Sequence, residues 1–245
     1  MKTLINQKLE AEFEIFNTKQ SCCIIMHGFD SSMHSRSVTS LAEKFAKNKQ
    51  NYLRFSFKGH GNSQGSLSET CVSNQVSDLK SIIEFLEAQG IEKFKLVGSS
   101  FSGQVALCLA NQLPEKIQKI ALKCPLISGA ELFASQLGPI GLKQWASCNK
   151  HEYPRHNGEV LNLPYSFYQD LLQNDPLKFL DTMQIPTTIV HGDADTTVPI
   201  TQVIRAKQLQ PKIELDIIPN ADHRFSDPKH FQLMQEYLYD FLSED

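Results

Sequence analysis

The sequence lacks the features that mark membrane, secreted and nucleic-acid-binding proteins. No apolar run reaches the 18 residues that indicate a membrane-spanning helix. Glutamates interrupt residues 1–16, so this segment does not resemble a secretory signal. Lysine and arginine form no cluster, and the net charge of −3 argues against binding to phosphate backbones. We therefore expect a cytoplasmic protein with neither a membrane nor a nucleic-acid partner.

Cysteine is present, but without the spacing of a metal site. The six cysteines are Cys22, Cys23, Cys71, Cys108, Cys124 and Cys148. No pair has CxxC spacing, and several lie in apolar runs. This distribution favours buried, reduced thiols in a cytosolic protein. We predict no metal and no organic cofactor.

What is present is an ordinary globular composition with alternating strand and helix patterns. Apolar residues make up 41% and charged residues 21%, and 245 residues suit a single domain, 1–245. Apolar runs that predict buried strands alternate with segments that predict helices. The predicted strands are residues 22–26, 52–56, 94–97, 117–122, 187–191 and 214–218. This alternation predicts an α/β fold, with a mostly parallel sheet covered by helices on both faces.

Two regions depart from that alternation. Residues 12–16 alternate apolar and acidic, which predicts an exposed antiparallel strand, paired in a hairpin with residues 4–9. Residues 125–180 lose the regular pattern and hold the only tryptophan. We interpret 125–180 as a lid-like insertion rather than as a separate domain.

The strongest chemical signal is a predicted strand, a Gly-Ser-Ser-Phe-Ser-Gly turn and then a predicted helix. A nucleophile on such a tight turn lies at the carboxyl end of a strand, and its neighbours two residues away must be small. Gly98 and Ser102 meet that requirement, and Gly103 lets the helix pack closely. Ser100 is therefore the predicted nucleophile.

An activated serine needs a base and a group that orients the base. His223 follows the last predicted strand, and Asp193 and Asp195 follow the strand before it, so all belong at the edge where Ser100 lies. Asp195 is the favoured acid and Asp193 the alternative, while Asp222 is interpreted as a turn residue. The order serine, aspartate, histidine is the one expected for an α/β-hydrolase arrangement.

The donors of an oxyanion hole can also be predicted from their positions relative to strands and helices. The backbone N–H of Phe101 follows the serine at the helix N-terminus, where amide groups are free. A second donor is expected after an early strand, and the N–H of Phe29 is the candidate. His27, just before it, is interpreted as structural, binding the backbone of its loop.

Five motifs together resemble the α/β-hydrolase superfamily, in its order and over nearly the whole chain. They are His27-Gly28-Phe29, Gly59-His60-Gly61-Asn62-Ser63, Gly98-x-Ser100-x-Ser102-Gly103, His191-Gly192-x-x-Asp195-x-x-Val198-Pro199 and Ala221-Asp222-His223. Residues 54–61 and 221–226 resemble the cinnamoyl and feruloyl esterase branch. The resemblance implies an eight-stranded, mostly parallel sheet with a short lid inserted after the sixth strand. Ser102 stands where the family usually has glycine, but it is small.

The predicted activity is hydrolysis of a small-molecule carboxylic ester of a short-to-medium acyl or aromatic acid, through an acyl-enzyme on Ser100. The alternatives on the same fold are a thioesterase acting on acylated protein or carrier thiols, a lipase, a serine peptidase, and a perhydrolase or lyase. A binding module without turnover is the alternative from another class. The shared triad does not separate the enzymes.

The substrate pocket is expected between the sheet edge and the insertion. The candidate substrate-binding residues are Gly28, Trp145, Tyr165 and Phe167, beside the two phenylalanines of the oxyanion hole. Such a pocket is apolar, which favours an acyl chain or aromatic acid over a charged substrate. Arg155 and Arg224 are interpreted as solvated cations. The sequence leaves the oligomeric state open.

Overall fold

The computed structural model describes residues 1–155 and 157–243, which form ten strands and seven α-helices. The strands are β1 (Lys2–Ile5), β2 (Leu9–Glu14), β3 (Cys22–Ile25), β4 (Tyr52–Phe55), β5 (Phe94–Ser99), β6 (Ile117–Lys123), β7 (His151–Pro154), β8 (Val160–Leu163), β9 (Thr187–Gly192) and β10 (Glu214–Ile218). The helices are α1 (Arg36–Lys47), α2 (Val72–Ala88), α3 (Phe101–Gln112), α4 (Gly129–Cys148), α5 (Tyr165–Gln173), α6 (Ile200–Leu209) and α7 (Pro228–Ser243).

Eight of these strands form one sheet, in the order β1-β2-β4-β3-β5-β6-β9-β10. The pairs β1–β2 and β2–β4 are antiparallel, and the other neighbours are parallel. The predicted mostly parallel eight-stranded sheet is therefore confirmed. Parallel strands place all of their carboxyl ends at one edge, and that edge carries the site described below.

Helices cover both faces of the sheet, as the apolar runs predict. Along β3, Cys22 and Ile24 belong to the core beneath α2, α3 and α6, whereas Cys23 and Ile25 belong to the core beneath α1 and α7. All four side chains are buried. Side chains in a strand alternate between its two faces, so a strand between two helix layers must be apolar at every position.

The opening hairpin exists, but its two strands have other bounds than the predicted 4–9 and 12–16. Asn6 and Gln7 have left-handed backbones, with φ of 51° and 58°, and make a tight turn of the kind that joins two strands. The second strand consequently begins at Leu9 and ends at Glu14, rather than covering residues 12–16. The alternation in the sequence is real, because Leu9, Ala11 and Phe13 are buried on one face.

The insertion is more regular than its sequence indicates. Between β6 and β9 the chain forms α4, the hairpin β7–β8 and α5. The backbone of α4 breaks at Gly138, with φ 60° and ψ 179°, immediately before Pro139. A break of this kind interrupts the helical spacing of apolar residues, which explains why the helix does not appear in the sequence pattern. Among the helices that the structure describes, none combines the length and apolarity that crossing a bilayer requires.

Candidate active site

Ser100 lies on the sharp turn between β5 and α3, as predicted. Its backbone is left-handed, with φ 54° and ψ −119°, a conformation that costs free energy for a residue with a side chain. A Cβ at Gly98 would lie 2.7 Å from the carbonyl oxygen of Ser102, and one at Gly103 would lie 2.5 Å from the Cβ of Pro125. The two glycines therefore allow the close packing that holds the serine at the sheet edge.

Ser102 takes the place of the family's usual glycine without opening the turn. Its hydroxyl accepts a hydrogen bond from the N–H of Ser99 at 2.8 Å and donates one to the carbonyl of Ser99 at 3.0 Å. The side chain is fully buried and its polar atom is satisfied. The substitution thus adds bonds within the turn.

His223 and Asp195 form a direct pair. The distance from His223 Nδ1 to Asp195 Oδ2 is 2.6 Å, and the other carboxylate oxygen accepts the N–H groups of Thr197 and Val198 at 2.8 and 2.9 Å. Burial alone would raise the pKa of the Asp195 carboxyl, but these hydrogen bonds hold it below its ordinary value. A charged Asp195 accepts the proton on Nδ1, so His223 Nε2 is the nitrogen left to accept another.

The two other aspartates near this pair have different roles. Asp193, the alternative acid, accepts the backbone N–H of Asn220 through Oδ1 at 2.5 Å. Asp222 accepts the N–H groups of Arg224 and Ser226 at 3.1 and 2.8 Å, so it is a turn residue, as predicted. Asp195 is the carboxylate that the fold brings to His223.

Ser100 and His223 line one cavity at the sheet edge. Within the described residues, no hydrogen bond joins the Ser100 hydroxyl to His223 Nε2. Bonds of this kind tighten in many enzymes only when substrate binds, so the shared cavity is the relevant observation. The structure thus gathers the three predicted residues from three separate segments.

Two backbone amides are free beside Ser100. No described hydrogen bond is donated by the N–H of Phe29 or of Phe101. Phe101 is the first residue of α3, where helix geometry leaves the amide without a partner. The loop that carries Phe29 approaches the serine closely, since a Cβ at Gly28 would lie 3.1 Å from Ser100 Cβ. The rings of Phe29 and Phe101 also touch edge to face, with centroids 5.3 Å apart.

His27 supports that loop. Nε2 accepts the N–H of Phe57 at 3.1 Å, and Nδ1 lies 2.8 Å from the carbonyl oxygen of Gly28, to which it donates. Burial, with a smaller contribution from His60, lowers the pKa of His27 to about 3, so the ring stays neutral. The interpretation of His27 as structural is supported by these contacts.

Arg155 is not the solvated cation that the sequence suggests. It donates from Nε to Asp30 at 2.8 Å and also pairs with Glu159. Asp30 follows the predicted oxyanion loop, whereas Arg155 directly follows β7 of the insertion. The ion pair therefore ties the insertion to the loop that carries Phe29.

Ser100 and Phe29 line two cavities of different character. The first, of about 370 Å³ and called the polar cavity below, has a mixed lining of serines and charged side chains with Phe29 and Phe231; it includes Gly28, Ser99, Lys123 and His223. The second, of about 300 Å³, is mainly apolar and lies between the sheet edge and the insertion; its lining includes Phe101, Leu126, Phe133, Leu163, Phe167 and Val198. Of the predicted substrate-binding residues, Gly28 lines the polar cavity and Phe167 the apolar one.

The prediction that Trp145 and Tyr165 line the pocket is corrected by the structure. Neither belongs to the lining of the two cavities at Ser100. Trp145 is 2% exposed and donates its indole N–H to the carbonyl of Leu163 at 2.9 Å. Tyr165 packs against it, with ring centroids 5.9 Å apart. Both lie behind the cavity wall and support it.

The sequence reasoning missed Phe133 and Lys123. Phe133 lines the apolar cavity from α4, a helix that the interrupted periodicity concealed. Lys123 ends β6 and lines the polar cavity. The signal for Lys123 was a charged residue at the end of an apolar strand run, because ligands of open α/β sheets bind outside the carboxyl ends of the strands.

Cys124, Asp195 and His223 are the one set of at least three potential metal ligands that the described residues bring together, with ligand atoms within 4.8 Å of one another. Burial raises the pKa of the Cys124 thiol to about 12, so the thiol stays protonated. Zinc and similar ions bind the thiolate. Two members of this set, Asp195 and His223, already form the direct pair at 2.6 Å.

The structure places Ser100 on a sharp strand–helix turn at the sheet edge, and comparison with known proteins assigns the family. The family model described as alpha/beta hydrolase fold matches residues 24–146. The chain belongs to the α/β-hydrolase superfamily.

Individual relatives cover most of the chain at low identity. Bovine mitochondrial palmitoyl-protein thioesterase ABHD10 is 26% identical over 90% of this chain and 72% of its own length. The putative esterase/lipase 2 of Mycoplasma pneumoniae is 23% identical over 88% of both chains. The structure of Est1E from Butyrivibrio proteoclasticus with bound ferulic acid superposes with a TM-score of 0.84 at 20% identity, covering 99% of this chain and 97% of that one.

Proposed function

We propose that this chain is a serine hydrolase that cleaves carboxylic esters of short-to-medium acyl or aromatic acids. One observation carries the proposal: Ser100, on its strained turn, shares a cavity with His223, whose Nδ1 is held by the buried Asp195 carboxylate. The superfamily relationship supports hydrolysis as the reaction class.

In the first half of the reaction, the acyl group moves from the substrate to the enzyme. Ser100 Oγ attacks the ester carbonyl while His223 Nε2 takes the hydroxyl proton. The N–H groups of Phe29 and Phe101 stabilise the oxyanion, each contributing about 3 kcal/mol. The tetrahedral intermediate then loses its original C–O bond, and His223 returns the proton to the departing alcohol oxygen.

In the second half, water replaces the alcohol. His223 takes a proton from water, the hydroxide attacks the acyl carbonyl, and the bond to Ser100 Oγ breaks. The proton held by His223 passes to Ser100 Oγ, which restores the resting enzyme and releases a carboxylic acid. Asp195 keeps its charge throughout and stabilises the cationic form of the imidazole.

In this proposal, one cavity holds the acyl group of the substrate and the other holds its leaving group. His223 lines the polar cavity and not the apolar one. Because His223 must reach the leaving oxygen, the leaving group occupies the polar cavity, and the acyl group occupies the apolar one. The apolar cavity of about 300 Å³ is at the small end of ligand pockets, about 300–1,000 Å³, which fits a short-to-medium chain or one aromatic ring.

Thioester hydrolysis is the second candidate, and the similarity to ABHD10 favours it. A thioester uses the same nucleophile, base and oxyanion donors, and a thiolate leaves with less help from a proton than an alkoxide does. Location in the cytoplasm stays a prediction, and ABHD10 is a mitochondrial protein by its name.

The test measures kcat/KM for p-nitrophenyl esters from acetate to palmitate and for acyl thioesters of the same lengths. We expect hydrolysis with an optimum at short to medium chains, and a loss of at least about 1,000-fold in Ser100→Ala. Ser135→Ala, an exposed serine on α4, is the matched control and should retain full activity. Equal activity in Ser100→Ala and wild type contradicts the proposal, and a preference for thioesters at every length selects the second candidate.

A further inference from the structure

The polar cavity, which holds the leaving group in the proposed reaction, is lined by positively charged side chains. Lys123 lines it from the end of β6 and is only 7% exposed. Among the described residues, no salt bridge and no hydrogen bond involves its ammonium group, and the ring of Phe225 lies 5.6 Å away. Buried charges in proteins are normally paired, because leaving water costs several kcal/mol. The Lys123 side chain is mostly buried, lines the cavity and has no ion-pair partner among the described residues, so an anion bound in the cavity would pair with it.

Two further cations line the same cavity. Arg36 stacks on the ring of Phe231, with its guanidinium carbon 3.7 Å from the ring centre, and Arg224 is exposed. Neither forms a salt bridge with a described residue. Asp30, the one acidic residue among the described residues of this lining, pairs with Arg155 at 2.7 Å. The lining thus carries three positive charges that no described ion pair neutralises.

The apolar cavity provides the contrast. Among the described residues that line it there is no aspartate, glutamate, lysine or arginine, although Ser100 and Phe29 line it as well. The positive charge is therefore confined to the side where His223 can protonate a leaving oxygen. Burial lowers the pKa of Lys123, and the nearby carboxylates of Asp195 and Asp222 oppose that shift. A bound anion would oppose it further.

We propose that the natural substrate carries an anionic group, a carboxylate or a phosphate, on its leaving group, and that Lys123 binds it inside the cavity while Arg36 and Arg224 attract it at the surface. This inference rests on the proposed ester or thioester hydrolysis. It departs from the prediction of an uncharged substrate on the leaving-group side and keeps that prediction for the acyl side. Lys123 is a specificity residue in this scheme, and the triad carries out the chemistry.

The test uses matched aryl butanoates that differ only on the leaving group. The neutral substrate is methyl 4-(butanoyloxy)benzoate, and the anionic substrates are 4-(butanoyloxy)benzoate and 4-(butanoyloxy)phenyl phosphate. For each enzyme the readout is kcat/KM for an anionic ester divided by kcat/KM for the neutral one. Comparing this quotient between variants cancels the intrinsic reactivities of the esters.

In Lys123→Met, which keeps most of the side-chain length without the charge, we expect the quotient to fall about tenfold or more, as for one lost charge-assisted contact. Lys47→Met, an exposed lysine on α1 outside both cavities, is the matched control and should leave the quotient unchanged. The arm with the larger fall identifies carboxylate or phosphate as the preferred anion. An unchanged quotient in Lys123→Met for both anions overturns the proposal.

A second measurement on the wild-type enzyme covers the case in which Lys123→Met does not fold. Inhibition by 4-hydroxybenzoate is compared with inhibition by its methyl ester, at low and high NaCl. We expect the anion to inhibit more strongly and to lose this advantage as salt rises. Equal inhibition at low salt overturns the inference.

The outcomes separate this inference from the proposed function. Hydrolysis of the neutral ester with no anionic preference contradicts this inference alone, whereas failure to hydrolyse any ester or thioester contradicts the proposed function.

Discussion

The sheet edge that carries Ser100 and the insertion that follows β6 are held together by different kinds of interaction. At the edge, hydrogen bonds and forced backbone angles fix each functional group: Ser100 by its turn, and Asp195 by two backbone amides and His223. In the insertion, Phe133 and Phe167 are held by ring packing, with centroids 5.8 Å apart. Hydrogen-bond geometry tolerates little change, while apolar packing adapts to changes of shape. We therefore expect edge substitutions to slow every substrate and insertion substitutions to change which substrate is preferred.

The largest effect is expected at the acid of the pair. In Asp195→Asn, the side-chain amide can donate to His223 Nδ1, so the imidazole proton moves to Nε2 and the base cannot accept from Ser100. We predict a fall in kcat of about 10,000-fold for all acyl lengths. Asp193→Asn, two residues away and exposed, is the matched control with a small effect. Comparable losses of kcat in the two variants would contradict the assignment of Asp195, rather than Asp193, as the acid that orients His223.

A smaller and more selective effect is expected in the insertion. Phe167→Leu enlarges the apolar cavity, so the acyl optimum should move toward longer chains, with changes in relative kcat/KM of about 10-fold. Tyr165→Leu changes a residue on the same helix that lies behind the wall, and it should leave the optimum in place. A p-nitrophenyl ester series checks both variants. If the acyl-length optimum moved in Tyr165→Leu but not in Phe167→Leu, Tyr165 rather than Phe167 would line the acyl pocket, which contradicts this prediction.

The smallest effect concerns stability of the framework that holds the edge. Burial alone would raise the pKa of Glu10, but hydrogen bonds from Asn62 and His34 lower it from 4.5 to about 2. A carboxylate with a lowered pKa in the folded state stabilises the protein above pH 4.5, and this contribution disappears as the pH falls toward 2. Glu10→Gln should lower the free energy of unfolding at pH 7 by about 1 kcal/mol, since the group is partly exposed to solvent.

Urea unfolding at several pH values measures that contribution. The difference between wild type and Glu10→Gln should shrink as the pH is lowered through 4.5. Glu14→Gln, on the same face of β2, is the matched control with little expected change. A difference independent of pH would show that Glu10 acts by packing alone.

The position of a residue could be predicted from the sequence where the topology of the sheet fixes it. Ser100, Asp195 and His223 each follow a strand, and parallel strands end at one edge, so their meeting could be predicted from order and spacing. The residues that line the pocket could not be predicted in this way. An aromatic residue in the insertion faces the cavity or the core according to the rotation of its helix, which the sequence order does not fix. Trp145 faces the core, and the break at Gly138 removes the periodicity that would have shown it.

Covalent labelling tests the role of Ser100 most directly. The enzyme is treated with a fluorophosphonate, which phosphonylates an activated serine, and the modified peptide is identified by tandem mass spectrometry. We predict one adduct, on Ser100, formed far more slowly in His223→Ala because the base that activates the hydroxyl is gone. An adduct on another residue, or none on the folded wild-type enzyme, would contradict the assignment of Ser100 as the nucleophile.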